Sequence, residues 1–276
     1  MGLTDDEYRR VMRKGWNLTP AVYDRLWIPV LREYSIGCVE RAGVRSGSRV
    51  LDVATGPGTA ALVAAERVGD GGSVLGVDIS DRFVEVAAAA AAAAAAGHHN
   101  LHFERHPMEK LALPDRSFDA VTCVLGLMYA APVSAALEEL ARVLAPGGRL
   151  AACVWGKRDR CCFREMFPIL GQRLQLDVCP LFFALGVPGA FAAALERAGF
   201  VDAREERVNV VLRWATEEEA CAAIFDGGPG AFPFSIFPDE VRRAVCDEYI
   251  ASLEAYRLGE GFEAPAEFVY ASARVE

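Results

Sequence analysis

An α/β fold, with helices on both faces of a parallel sheet, is what this 276-residue sequence predicts. Three observations carry the prediction. From Arg49 onward, short β-rich runs alternate with helical stretches long enough to be crossovers, the pattern of parallel strands joined by helices. One of those runs, Val50-Leu51-Asp52-Val53-Ala54, turns through Gly56-Pro57-Gly58 directly into the helical segment TAALVAAERVG. With 53% hydrophobic residues, the chain can also bury one large core.

The elements follow in order. Residues 1 to about 45 read as helical, because apolar residues interleave with charge in YDRLWIPVLREYSIGCVERAG, and Gly47 marks the turn before the first strand. This region is expected to be a cap or lid. The strand candidates are SRVLDVA, SVLGVDI, LHFERH, FDAVTCVL and GRLAACVW. The ten alanines Ala87 to Ala96 have the highest helix propensity, with Gly97 where a C-cap glycine belongs, and they carry no chemistry. Beyond Trp155, CCFREMFPILGQRLQLDVCPLFFALG and AAALERAGF read as helices, followed by strands near Glu206 to Trp214 and Glu267 to Val275. Between those strands an insertion, about 215–262, holds aromatics and the loop GGPG. No repeat or linker interrupts the chain, so we expect one domain, 1–276, divided into a cap (1–45), a core (46–156) and a second half (157–276).

Charge and composition exclude several function classes. The formal net charge is −9, which opposes attraction to nucleic acid or to anionic membrane surfaces. The longest apolar run, Val86 to Ala96, is too short for a bilayer span. Eight cysteines without paired metal-ligand spacing, and an N-terminal stretch without a signal peptide's apolar segment, predict reduced thiols in a cytoplasmic protein. The four histidines, His98, His99, His102 and His106, span a loop and a strand without nearby cysteines, so we expect no metal site. Cys161 and Cys162 are adjacent, a poor geometry for pairing, and with Cys179 read as small buried residues rather than as thiol or arsenic chemistry. Phe182, Phe183, Phe232, Phe234 and Phe237 are read chiefly as core, with some beside GGPG available to line an apolar pocket.

The chemistry is expected around the glycine turn. Glycines there let a ligand approach the backbone, and the following helix N-terminus offers free N–H groups. Asp78 ends the next strand, where a carboxylate can accept hydrogen bonds from both ribose hydroxyls; the plainer reading is a helix-start charge beside Ser80 and Asp81. The turn also fits the GxGxxA dinucleotide pattern of an NAD-dependent oxidoreductase, through Gly56 to Ala61. Asp52 opposes that reading, since a carboxylate beside the turn repels a pyrophosphate but suits the ammonium group of a methionine moiety.

With SFDAVTCVLGLMY and LARVLAPGGRLAACVWG added, the sequence from about Arg49 to Trp155 resembles class I S-adenosylmethionine-dependent methyltransferases, in particular the group similar to ubiquinone/menaquinone biosynthesis C-methyltransferases. EFVYASARV is similar to that family's final antiparallel strand. The resemblance implies a Rossmann-like sheet of seven strands, the last one reversed, with the N-terminal helices and the insertion as a lid. It also implies S-adenosylmethionine as cofactor. Asp52, Ala54, Thr55, Gly56 and Gly58 would surround its methionine part and ribose, with Asp78 on the ribose hydroxyls and Ile79 on the adenine face. Met108 and Glu109 would lie at the adenine edge, and Val124 and Leu125 beside the sulfonium. Two residues depart from the family pattern: Ala54 stands for a glycine, and Pro107 for the acidic residue that meets the adenine amino group.

The expected acceptor is a small, fairly apolar metabolite, methylated on carbon, oxygen or nitrogen by a monomer or homodimer. If a base is needed, Tyr129, Arg160 and Asp226 are the positional candidates. A noncatalytic S-adenosylmethionine-binding or partner subunit is the alternative that Pro107 favours.

Overall fold

Three helices, α1 (Asp5–Leu18), α2 (Pro20–Leu26) and α3 (Ile28–Arg41), precede the first strand in the computed structural model, which describes residues 4–94, 99–175, 179 and 181–276. α1 starts on a capping box in which the Thr4 hydroxyl accepts from the Glu7 N–H and the Glu7 carboxylate accepts from the Thr4 N–H. Proline stands in the first turn of both α2 and α3, where its missing N–H costs nothing.

Strand and helix then alternate: β1 (Arg49–Val53), α4 (Thr59–Val68), β2 (Ser73–Asp78), α5 (Asp81–Ala93), β3 (Leu101–Arg105), β4 (Phe118–Val124), α6 (Val133–Val143) and β5 (Leu144–Trp155). These five strands are parallel neighbours. The alanine-rich segment is helical through Ala93, and Gly97, expected as its cap, lies outside the described residues. The second half holds α7 (Met166–Leu174), α8 (Ala190–Arg197), β6 (Val201–Trp214), α9 (Glu217–Phe225), α10 (Ala231–Ser235), α11 (Asp239–Leu253), β7 (Arg257–Leu258) and β8 (Gly261–Arg274).

The sheet runs β3-β2-β1-β4-β5-β8-β6, with β8 antiparallel to both neighbours, which is the expected reversed last strand. It holds an eighth, two-residue strand, β7, that pairs the start of β8 across a tight turn at Gly259. Both β6 and β8 are longer than their sequences suggest, since charge alternates with apolar residues in the early part of β6 and Pro265 interrupts β8, muting the apolar signal. The stretch after Cys161 is a short 3-10 turn, Cys162–Glu165, followed by α7, which ends where Gln175 takes left-handed backbone (φ 54°).

β1 through β3 are laid to one side of the chain's starting point and β4, β5 to the other, so the order reverses between β1 and β4. A crevice opens at the carboxyl ends of strands at such a switch point. α1 packs against α5 and α10, and α2 against α9, so the N-terminal helices and the insertion meet over that end of the sheet. No helix among the described residues is long and apolar enough to cross a membrane.

Candidate cofactor and acceptor site

β1 is apolar along its buried length except for Asp52, 1% exposed. Register explains what Asp52 does: it sits opposite Thr122 of β4, whose hydroxyl donates to one carboxylate oxygen at 2.6 Å, while Thr55 donates to the other at 2.6 Å. Burial pushes the Asp52 pKa up to about 6, against the pull of the two hydroxyls and the Ala61 N–H. Asp52 thus ties the glycine turn to β4 from beneath, and it does not line the cleft as expected for an ammonium partner.

Asp78, at the end of β2, faces the ligand side. One oxygen accepts from the Gly56 N–H at 2.9 Å and the other from the Ser80 N–H at 2.8 Å, which leaves a lone pair on each for a bound diol. Burial also pushes this carboxyl up to about 6, partly offset by the Ser80, Gly56 and Ile79 N–H groups. Ser80 continues the chain of contacts: its hydroxyl caps α5 by accepting from the Phe83 N–H at 3.2 Å and donates to Asn17 of α1 at 2.7 Å.

Ala54 and Leu125, which end β1 and β4, both take left-handed backbone, φ 53° and 55°, conformations that cost a non-glycine residue about 1 kcal/mol. Ala54 therefore occupies a conformation where glycine is the cheaper choice. A Cβ on Gly126 would lie 2.5 Å from the Cβ of Ala54, so glycine is required there for the two turns to close on one another. A Cβ on Gly56 would meet nothing within 4 Å, because that position opens into the cleft.

The cleft, open to solvent, holds about 660 Å³ of space among its lining atoms. Eight expected cofactor residues line it together: Ala54, Gly56, Asp78, Ile79, Met108, Glu109, Val124 and Leu125. Asp52, Thr55 and Gly58 lie behind it, with Gly58 (φ 87°) held where a Cβ would come 3.1 Å from Phe103. Pro107 is not in the lining, and its neighbour His106 is. The His106 ring is pinned between the Ala112 N–H at 3.4 Å and Glu104 at 3.0 Å. Glu109 accepts the Ala131 N–H at 2.9 Å, bracing the loop after β4.

The roof was not foreseen residue by residue: Tyr8, Arg9, Met12, Trp16 and Tyr23, all from α1 and α2. The expectation of a cap over residues 1 to about 45, drawn from the pattern beginning at Tyr23, named none of these positions. Arg9 is tied to the Ala131 carbonyl at 3.4 Å and to Asp6 at 2.7 Å.

Beside the cleft lies a second hollow, open to solvent, with about 410 Å³ of space among its lining atoms; it is lined by Trp27, Met128, Trp155, Phe163, Met166, Phe182, Ile224 and the loop Gly227-Gly228-Pro229. Trp16, Tyr23, Leu125 and Tyr129 line both spaces. Of the five insertion-side phenylalanines singled out above, Phe182 reaches this chamber, Phe183 stacks behind it on Phe163 and Phe234 stacks on Phe225 in the core.

The base candidates separate. Tyr129 stands between the two cavities, but burial holds its phenol well above the ordinary range, so it is a donor rather than a base. Arg160 is exposed on a 3-10 turn, and Asp226 pairs with Arg242 at 3.8 Å in an outer groove; neither reaches the chamber. Among the described residues, no group of three or more histidine, cysteine, aspartate or glutamate side chains comes together to hold a metal, and His98 lies outside those residues.

Residues 50–148 match the family described as methyltransferase domain. The ubiquinone/menaquinone biosynthesis C-methyltransferase UbiE of Azotobacter vinelandii is 39% identical over 129 residues, 47% of this chain and 51% of that protein. The chain thus spans about half the length of such relatives. Nocamycin O-methyltransferase of Saccharothrix syringae is 28% identical over 270 residues, 92% of this chain and 95% of that one. Among solved structures, the [4+2]-cyclase SpnF superposes with a TM-score of 0.62 at 20% identity, covering 100% of this chain and 97% of that one, a likeness of fold. Together with the switch-point crevice and the buried Asp78, the match makes this core a class I S-adenosylmethionine-dependent methyltransferase domain. The nicotinamide reading of the glycine turn ends there.

Proposed function

We propose that this chain transfers the methyl group of S-adenosylmethionine to a small, largely apolar metabolite held in the aromatic chamber. The observation that carries the reading is the pair of adjoining cavities that share Trp16, Tyr23, Leu125 and Tyr129 as a common wall. One cavity has the charged and polar fittings of a nucleoside site, and the other is aromatic and aliphatic without a charged group.

The cofactor, when bound, supplies a methyl group already activated on a positively charged sulfur. Asp78 would hold the ribose hydroxyls, Gly56 the close approach to the backbone, and Ile79, His106 and Met108 the surroundings of the base. Val124, Leu125 and Gly126 end β4 where the two spaces meet and would border the reacting group. The remaining task of the chain is to align the acceptor and exclude water, which the roof of α1 and α2 performs. Glu109 and Arg9 serve that task indirectly, since both grip Ala131 in the loop that carries Tyr129.

The names of two relatives, a C-methyltransferase and an O-methyltransferase, fit a small-molecule acceptor. Eight free cysteines fit the reducing cytoplasm. Cofactor binding without transfer is the second reading; it is favoured by Pro107, which brings no carboxylate to the adenine edge.

Calorimetry with S-adenosylmethionine and S-adenosylhomocysteine tests the cofactor site. Micromolar binding is expected for the wild type, weakened about 100-fold by Asp78→Ala, the loss of two charge-assisted hydrogen bonds. A folded wild type that binds neither overturns the reading. A methylated product in an acceptor screen followed by mass spectrometry excludes the noncatalytic one.

A further inference from the structure

The chamber beyond the cofactor cleft has a wall of one chemical kind. Its wall is aromatic and aliphatic, and among the described residues lining it there is no carboxylate, imidazole, ammonium or guanidinium group. The Trp27 N–H is committed to the Ala223 carbonyl at 2.8 Å. At the boundary with the cofactor cleft stand the phenols of Tyr23 and Tyr129, each part of the lining of both spaces. Burial raises both above the ordinary phenol range, so each offers a proton to share and no base. Both belong to the wall that faces the end of β4, where the methyl group is delivered in the reading above.

Resting on that reading, we propose that the acceptor is an apolar oxygen acid that enters the chamber as its anion, with the Tyr23 and Tyr129 hydroxyls donating hydrogen bonds to its oxygens. Three arguments converge on this class. The first is the proton balance: an oxygen lone pair forms the new O–C bond, the C–S bond breaks and its electron pair stays on sulfur, and no proton has to be removed. A chamber without a base suits that step. The second is charge. One anion and one sulfonium become two neutral molecules, so a dry, low-dielectric chamber strengthens the attraction that brings the ions together and leaves no charge stranded afterwards. The third is what the wall rejects. An amine is protonated at neutral pH; here it meets a cationic sulfonium, and the carboxylates nearest the phenols, Asp78 and Glu109, line the cofactor cleft rather than the chamber and already accept backbone N–H groups.

The test measures binding, in the intact protein, of three probes of one shape: 2-naphthoate, 2-naphthylmethylamine and 2-naphthylmethanol. Each is titrated by calorimetry into protein saturated with sinefungin, which carries an ammonium near the place of the sulfonium and transfers nothing, and into protein saturated with S-adenosylhomocysteine. The expected result is that 2-naphthoate binds the sinefungin-loaded protein about tenfold more tightly than either other probe and about tenfold more tightly than it binds the S-adenosylhomocysteine-loaded protein. In the doubly substituted Tyr23→Phe, Tyr129→Phe protein the advantage of the acid over the alcohol shrinks about tenfold. Loss of secondary structure in that variant is checked by circular dichroism, and the wild-type comparison of probes stands without it. An amine that binds as well as the acid, an acid indifferent to the cofactor's charge, or no probe bound at all overturns the oxygen-acid assignment and leaves the methyl-transfer reading in place. Failure of sinefungin and S-adenosylhomocysteine themselves to bind overturns the methyl-transfer reading instead.

Discussion

Burial raises the pKa of two aspartates alike, but their hydrogen-bond partners differ, and that difference separates a strut from a binding group. Asp52 spends both oxygens on Thr55 and Thr122, whereas Asp78 accepts only backbone N–H groups and keeps room for a ligand. Thr122→Val removes one of the two hydroxyls that hold Asp52 ionised, so we expect a loss of about 1–3 kcal/mol in urea unfolding. Both carboxyls are raised from 3.8 to about 6. The unfolded chain therefore gives up these protons first as pH rises, and the apo protein binds more protons than the unfolded chain between about pH 4 and 6. Apo stability from this pair is present below that window and lost as pH rises through it. Ribose hydroxyls donate best to an ionised Asp78, so cofactor affinity should move the opposite way and weaken as pH falls below about 6. Thermal melts and calorimetry across pH 4 to 7 read both slopes. Asp78 was legible in sequence because strand, carboxylate and helix cap follow one another locally. The partner of Asp52 was not, since Thr122 reaches it only through strand pairing 70 positions away.

At the scale of elements, the lid is two pieces of chain meeting from opposite ends of the sequence. Helical periodicity announced α1 to α3, and composition marked the insertion, but neither told that α1 would rest on α10. That contact runs through Gly15, where a Cβ would lie 3.4 Å from the Phe232 Cβ. One methyl group fits and a branched side chain does not. Gly15→Leu should lift α1 from α10 at a cost of about 1–3 kcal/mol, and weaken S-adenosylhomocysteine more than it lowers the melting temperature of the apo protein. An equal affinity in the variant would show that the roof contributes nothing to cofactor retention. Arg13 ties the other side of α1 to Asp81 at the start of α5, and Arg105 of β3 pairs the same carboxylate, but both arginines are largely exposed. Removing either is expected to change stability by less than about 1 kcal/mol.

Across the molecule, the strand order carries both the switch-point crevice and the largest aromatic cluster. Phe268 of β8, fully buried, stacks on Trp155 of β5 at 4.3 Å and meets Tyr34 of α3 edge-on at 4.3 Å. Phe268→Ala should cost about 3–5 kcal/mol in chemical denaturation. Because Trp155 also lines the chamber, the variant should lose acceptor affinity as well. The parallel half of the sheet was legible because each of its strands is a short apolar run bounded by turns. The lengths of β6 and β8 were not, because a strand with one face toward charge, or with a proline inside it, looks like a loop until its partner is known.

β8 lies between β5 and β6, and the whole insertion separates it in the chain from β6. On a translating ribosome, β6 is therefore made well before the strand it pairs with, and β5, made earlier still, waits longer with one edge bare. A nascent chain halted before Gly261 carries an unfinished seam between β5 and β6, a natural landing place for chaperones and the point at which arrested chains should be most readily cut by proteases.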